Sequence, residues 1–257
     1  DIPPPPPPHD KAAADSDGHM EGSSKTASAG EQLLEAVEDG DMPTIERLLL
    51  LPSPRSLPPG GERRRLHLAN FADDDGETVL MEACCQGNLE VVRCLVEAKA
   101  VVDVADRDGY TALMYAASRD FADVIRYLLR HARAGVNAHK KDGDTALHVA
   151  VEKTNLDACH ALLDGKASVG IAGKYGMTAL QAAVSTGRLD LVRCLVAGGR
   201  KQAGGGKGCL GINSRGIASY HDTPLLAACR LRLCIPFRQL FAIVRVLCEE
   251  GGADVNM

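Results

Sequence analysis

Tryptophan is absent from this 257-residue chain and aromatic residues make up only 4% of it. Its core must therefore be assembled from aliphatic and small side chains rather than around large rings. No run of 18 apolar residues occurs, which leaves no candidate for a membrane-spanning helix. The N-terminal stretch, with its prolines and acids, is unlike a secretory signal. The nine cysteines include no C-x-x-C pair and no Cys/His cluster at a zinc spacing. They are read instead as reduced thiols that serve as small hydrophobes, in a cytoplasmic or nuclear compartment. A large excess of one charge is also missing: the net charge of −5 is too mild to argue for nucleic acid. The glycine-rich G-G-G-K-G around Lys207 is not G-x-x-x-x-G-K-[ST], so no phosphate cradle is assigned.

What the chain does have is a period. D-G-E-T-V-L-M-E-A begins at Asp75, D-G-Y-T-A-L-M-Y-A at Asp108, D-G-D-T-A-L-H-V-A at Asp142 and Y-G-M-T-A-L-Q-A-A at Tyr175. Gly76, Gly109, Gly143 and Gly176 are separated by 33, 34 and 33 residues. A self-similar period of this length denotes a repeat array, in which each unit needs its neighbours to bury its apolar face. The glycine suits a turn position with positive φ. Thr78, Thr111, Thr145 and Thr178 stand where a helix begins, and a threonine oxygen can accept from an orphaned helical N–H. Leu80, Ala83 and Cys84 fall on one face of that first helix; Leu89, Val92, Leu95 and Val96 do the same on a second.

These openings, with L-E-V-V-R-C-L-V from Leu89, A-D-V-I-R-Y-L-L from Ala122 and L-D-L-V-R-C-L-V from Leu189, resemble the ankyrin repeat. A fifth opening, H-D-T-P-L-L-A-A-C from His221, has the full T-P-L, and a first unit from Leu33 has both helices without the turn. The resemblance implies an all-α ankyrin-repeat solenoid of about six helix–turn–helix units with short β-turn or hairpin loops. Its units are expected at 31–51, 75–107, 108–141, 142–174, 175–199 and 219–256, with loop insertions at 52–74 and 200–218. The family's Gly-Ala helix ending is replaced by Lys99-Ala100 and Lys166-Ala167, each costing about 1 kcal/mol if the same backbone is kept. Asp120-Phe121 and Thr154-Asn155 replace its Gly-His, so those turns are expected to be less regular, with Phe121 packed inward.

Residues 1–30 are read as a disordered, Pro-rich acidic tail. The run Pro3–Pro8 is a polyproline II rod of the kind that SH3, WW or profilin-type grooves take; its plainer reading is a stiff solvated tail. Arg63, Arg64 and Arg65 are too few for a basic patch and read as a solvated loop, the alternative being a weak localisation or phosphate-binding signal. Cys209, in the glycine-rich segment, is the thiol expected at the surface.

The resemblance further implies that function lies on a concave face built from the turns and the first helices. Unit by unit it places Asp74, Asp75, Glu77 and Gln86 there, then Arg107, Asp108, Tyr110 and Arg119. Lys141, Asp142, Asp144 and Lys153 come from the third full turn and its helix. Lys174, Tyr175 and Met177 come from the fourth, and Tyr220, Asp222 and Arg230 from the last. The plainer reading of each one alone is a solvated turn residue; as a row they form a surface running from acidic to Lys/Tyr/Met. His148 is expected to brace its own turn, Asn137 matches a position hydroxylated in some ankyrin proteins, and His131, His139 and His160 lie at no spacing that builds a triad. The chain is thus expected to be a non-enzymatic, monomeric scaffold that binds another protein, with no cofactor, nucleic acid or membrane. The alternative is the targeting or regulatory module of a larger polypeptide, such as a kinase, ubiquitin-ligase subunit or channel. A chain with its own catalysis is the third reading, and it lacks a catalytic cluster.

Overall fold

A computed structural model describes residues 28–49, 61–202, 223–230 and 237–253. Helices pair along the chain: α1 (Ala29–Glu38) with α2 (Met42–Leu49), α4 (Val79–Gln86) with α5 (Leu89–Glu97), and α6 (Ala112–Ser118) with α7 (Ala122–His131). The pairs α8 (Ala146–Glu152) with α9 (Leu156–Asp164), α10 (Ala179–Ser185) with α11 (Leu189–Gln202), and α12 (Pro224–Arg230) with α13 (Phe237–Arg245) follow. Helix α13 begins just after Pro236 and continues into a π-helical turn, Val246–Glu250. First helices stack on first helices, α1 on α4, α6, α8, α10 and α12 in succession; α7, α9 and α11 form a second layer behind them. The buried residues Leu80, Leu113, Leu147 and Leu180 repeat through the first layer, and Leu95, Leu128, Leu162 and Leu195 through the second. Each unit thus closes its neighbour's core, the reason no unit stands alone.

Between units the chain makes a single bridge rather than a strand: Ala72 with Thr78, Ala105 with Thr111, His139 with Thr145 and Ala172 with Thr178. Gly76, Gly109, Gly143 and Gly176 all have positive φ, between 68° and 95°, as a turn at that place requires. A ladder of side chains ties successive units. Asn70 accepts from Val101 N, Asp103 from Gly135 N and Asn137 from Ser168 N, each at 2.7–2.8 Å. The three residues share one place six positions before the turn glycine; the fourth unit has Gly170 there, with no side chain to continue the ladder.

Several expectations give way. Helix α3 (Gly61–Ala69) occupies part of the stretch 52–74 read as a loop. Leu68 and Ala69 are buried, and Arg65 donates to Glu97 O at 2.7 Å; packing against α1 and α2 supplies what the local sequence did not advertise. At the other side of the first unit, α1 takes in Ala29 and Gly30, which the tail reading had included. Ser28 caps it, accepting from Glu31 N while Glu31 Oε2 accepts from Ser28 N. Residues 1–27, with the proline run, lie outside the described residues, as do Cys209 and most of 200–218.

The turns at Asp120 and Thr154 are not less regular. Their φ values of 65° and 60° match Gly87 at 73° and Gly187 at 71°, so side-chain-bearing residues adopt the same left-handed conformation. Phe121 packs as expected, its ring over Gly87. Lys99 and Lys166 also keep the family backbone, with φ of 69° and 71°. Gly199 occupies the equivalent place ten residues into α11, yet the helix runs on through it to Gln202, whose amide donates to Ala167 O at 2.7 Å. A Cβ at the preceding Gly198 would come within 2.7 Å of Leu163, so glycine there serves close helix approach rather than termination.

Candidate partner-binding face

The first two full turns are each built by one carboxylate, three positions before the glycine. Asp73 Oδ1 accepts from Asp75 N and Glu77 N, both at 2.9 Å, and Asp106 Oδ1 accepts from Asp108 N and Tyr110 N at 2.9 and 2.8 Å. With their backbone donors held, the neighbouring side chains are aimed outward. Asp74, Asp75, Arg107 and Asp108 are exposed, and Arg107 meets Asp75 at 3.2 Å across the first two full turns. Both partners are more than 60% exposed, so this pair contributes little to stability. Arg107 N also donates to Asp75 O at 3.0 Å, which joins the two turns through their backbones.

The third turn is different. Lys140 replaces the capping acid, and its ammonium lies 3.0 Å from Asp142, 3.7 Å from Asp144 and 4.8 Å from the centre of the Tyr110 ring. Burial pulls its pKa down, but the bonds to Asp142 and Tyr110 outweigh this and leave it above the ordinary lysine value. Asp142, although partly desolvated, is held below the ordinary aspartate value chiefly by Lys140. Asp144, expected to project, is instead buried. Its Oδ1 accepts from Lys174 N at 2.7 Å, reaching into the next turn, where a Cβ on Gly173 would collide with it. Asp144 is a strut between turns, and the reason is the gap that Gly173 leaves.

Other assigned residues are drawn into the same framework. Glu77 Oε1 and Asp106 Oδ2 lie 2.9 and 2.8 Å from the Tyr115 hydroxyl, whose pKa is pushed up by burial and then by these two acceptors. Tyr110 stacks obliquely on Tyr115 with ring centres 5.6 Å apart. Gln86 donates to Glu38 O and to Glu82 Oε1. Arg119 is exposed beside Cys85, whose thiol burial raises and Arg119 partly lowers. Lys141, Lys153, Lys174 and Tyr175 face solvent, with the Lys174 ammonium 5.1 Å from the Tyr175 ring centre. Met177 is half-buried. Tyr220 and Asp222 lie outside the described residues, and Arg230 closes α12 without a described side chain. Sequence reasoning passed over Asp73, Asp106, Lys140 and Tyr115. Aligning the units on their glycines puts the first three in a single column, which is the signal that would have found them.

His148 braces two turns rather than one. Its Nδ1 accepts from Thr145 N at 3.2 Å and lies 2.9 Å from the Thr145 hydroxyl, while Nε2 is 3.1 Å from Met177 O. Since a carbonyl only accepts, Nε2 carries the hydrogen. Burial lowers the His148 pKa, with Asp144 and Met177 O opposing. Gln181 takes the same place in the next unit and accepts from Thr178 N at 2.7 Å.

The structure brings together one pair that spacing did not suggest, His160 Nδ1 and Cys194 Sγ at 3.5 Å. Burial, then Asp164 and Asp190, push this thiol up to about 11, which keeps it protonated and a poor nucleophile. Among the described residues no group of three or more His, Cys, Asp or Glu side chains is placed to hold a metal ion, and no helix is long and apolar enough to cross a membrane.

Comparison with known proteins agrees with this architecture. A family model described as ankyrin repeats (3 copies) matches residues 33–140 and 132–204. Caskin-1 of Rattus norvegicus and Caskin-1 of Mus musculus are each 36% identical to the chain over 74 residues. That match covers 29% of this chain and 5% of each relative.

Proposed function

The chain belongs to the ankyrin-repeat family, and from that premise we propose that it is a non-enzymatic scaffold capturing another protein on its turns and first helices. The observation that carries this reading is the division of labour within the turns. One set of polar groups, Asp73, Asp106, Lys140, Asp144 and His148, is consumed in fixing the turns and joining them. A second set, Asp74, Asp108, Lys141, Lys153, Lys174 and Tyr175, is left exposed on that rigid frame. Side chains held in place before binding lose less entropy when a partner arrives, and an exposed tyrosine among charges suits the core of an interface. The partner therefore reads a pattern that runs from acidic at the first full turn to Lys and Tyr at the fourth. Fold alone names no partner.

A second reading has its own support. The matched 74-residue segment is 5% of the Caskin-1 chains, so repeats like these occur within far longer proteins. On that reading the array is the targeting module of a larger polypeptide, and the same face does the targeting.

Affinity capture from cell extract with the wild-type chain and with the Arg107→Glu, Lys141→Glu, Lys174→Glu triple variant tests the assignment. All three side chains are exposed, so the variant should melt within a few degrees of wild type while losing its principal captured protein. Unchanged capture by a folded triple variant would overturn the concave-face assignment.

A further inference from the structure

The layer behind the turns carries a row of its own. Position five of the second helices is Arg93, Arg126, His160 and Arg193 in successive units, and Arg245 holds the matching place in V-R-V-L. All five are exposed. The helices bearing the first four also carry an acid at their second position, Glu90, Asp123, Asp157 and Asp190, and the last of these is paired with Arg188 rather than with a member of the basic row. Between α9, α11 and the first turn of α13 lies an open cleft of about 680 Å³, within the range of binding clefts. The last unit arrives late in the sequence: the step from Arg193 to Arg245 is 52 residues against 33 or 34 elsewhere. The start of α13 is tethered by Gln239 Nε2 to Gly187 O at 2.7 Å, and a gap is left beside α9 and α11.

Leu156, Leu189, Ala197 and Cys194 give the cleft an apolar floor. Its acid, Asp190, is already engaged, with Oδ2 2.6 Å and Oδ1 3.1 Å from Arg188 and Oδ1 also accepting from Leu191 N. His160 and Arg193 stand at the rim, and Arg193 makes no ion pair with any described residue. An apolar floor with an unmatched guanidinium at its edge suits a ligand that is apolar at one atom group and anionic at the next. Arginine favours carboxylate there because its planar fork meets two oxygens at once.

We propose that this cleft is a second docking site, on the layer opposite the turns, for a segment of a partner protein in which a bulky apolar side chain is followed by a carboxylate. The apolar side chain sits over Leu156, Leu189 and Ala197, and the carboxylate meets Arg193. The site is independent of the turn face, so one chain could hold two partners at once.

Fluorescence anisotropy with three labelled peptides tests this on the full chain. The probe is Gly-Ser-Gly-Leu-Phe-Asp-Glu-Gly-Ser; its controls replace Asp-Glu by Asn-Gln, or Leu-Phe by Ser-Ser. The probe should bind saturably and each control at least about tenfold more weakly, the effect of losing a charged hydrogen bond or an apolar anchor. Arg193→Glu, and separately Ala197→Trp to fill the cleft, should weaken the probe by about tenfold or more; both positions are exposed, so melting curves should match wild type. Lys141→Glu on the turn face should leave the probe's affinity unchanged. Equal binding of the probe and the Asn-Gln peptide, absence of saturable binding, or insensitivity to both cleft variants would each overturn the proposal.

Discussion

Replacing Lys99 and Lys166 by glycine should stabilise the array. Both lysines occupy the left-handed position after their helices, at φ 69° and 71°. Lys99 N donates to Val96 O at 3.0 Å and Ala100 N to Leu95 O at 3.0 Å; Lys166 N and Ala167 N repeat the pattern onto Leu163 O and Leu162 O at 3.1 and 2.9 Å. This is the helix ending in which glycine is preferred. The backbone bonds do not involve the side chains, both of which are exposed, so the substitution removes no packing. Holding a Cβ in the left-handed region costs about 1–2 kcal/mol. Against that, glycine frees the unfolded chain by about 0.4–1 kcal/mol. The net gain is about 0.5–1 kcal/mol per site, and the sites, 67 residues apart in sequence, should add to about 1–2 kcal/mol. For a chain of this size that corresponds to roughly 2–8 °C in Tm. Urea titration followed by circular dichroism, with the slope m unchanged, checks it. A double variant no more stable than wild type at unchanged m would refute the claim that the lysines sit in strained backbone.

Two other outcomes follow from buried groups. Burial keeps His148 neutral in the folded chain, lowering its pKa below the ordinary 6.5; the unfolded chain thus binds the proton more readily. Its contribution to stability is full above about pH 6.5 and is lost as pH falls through the lowered native value. His148→Gln, which copies the Gln181 arrangement of the next unit, should flatten this part of the pH–stability curve in chemical denaturation; an unaltered curve would remove His148 from the explanation. Burial raises the Cys84 and Cys159 thiols far above the ordinary value, while Cys229 on α12 is exposed. Thiol labelling at pH 7.5 followed by peptide mass spectrometry should therefore mark Cys229 within minutes and leave Cys84 and Cys159 unmarked until denaturant is added. Fast labelling of Cys159 in the native chain would contradict the packing of α9.

Cys229 also shows where reading helix periodicity falls short. It stands six residues after the opening threonine of its unit, the place at which Cys84 is buried in the core, yet it is exposed. The periodic signal gives the face of a helix only when a neighbour covers that face. The same limit explains α3: Gly61–Ala69 has a weak apolar stripe, and only Leu68 and Ala69 meeting the first unit make it a helix worth forming. In the candidate face, Asp74, Arg107, Lys141 and Lys174 could be placed on the turns by counting from each glycine. That Asp144 turns inward could not, since it depends on Gly173, 29 residues later.

Period and turn chemistry, which act over a few residues, were enough to determine the helix pairs, the positive-φ glycines, the threonines at the helix starts and the leucine rows of the core. Burial and partnership were decided between units, by side chains about 30 residues apart. Helix α11 runs on through Gly199, while Lys99 and Lys166 take the left-handed turns. Contact across units likewise placed His160 beside Cys194, at the cleft between α9, α11 and α13. Local preferences, worth a fraction of a kcal/mol to about 1 kcal/mol per residue, set the repeat. Where it departs from itself, the burial of whole side chains, worth about 1.5–3 kcal/mol each, overrides them.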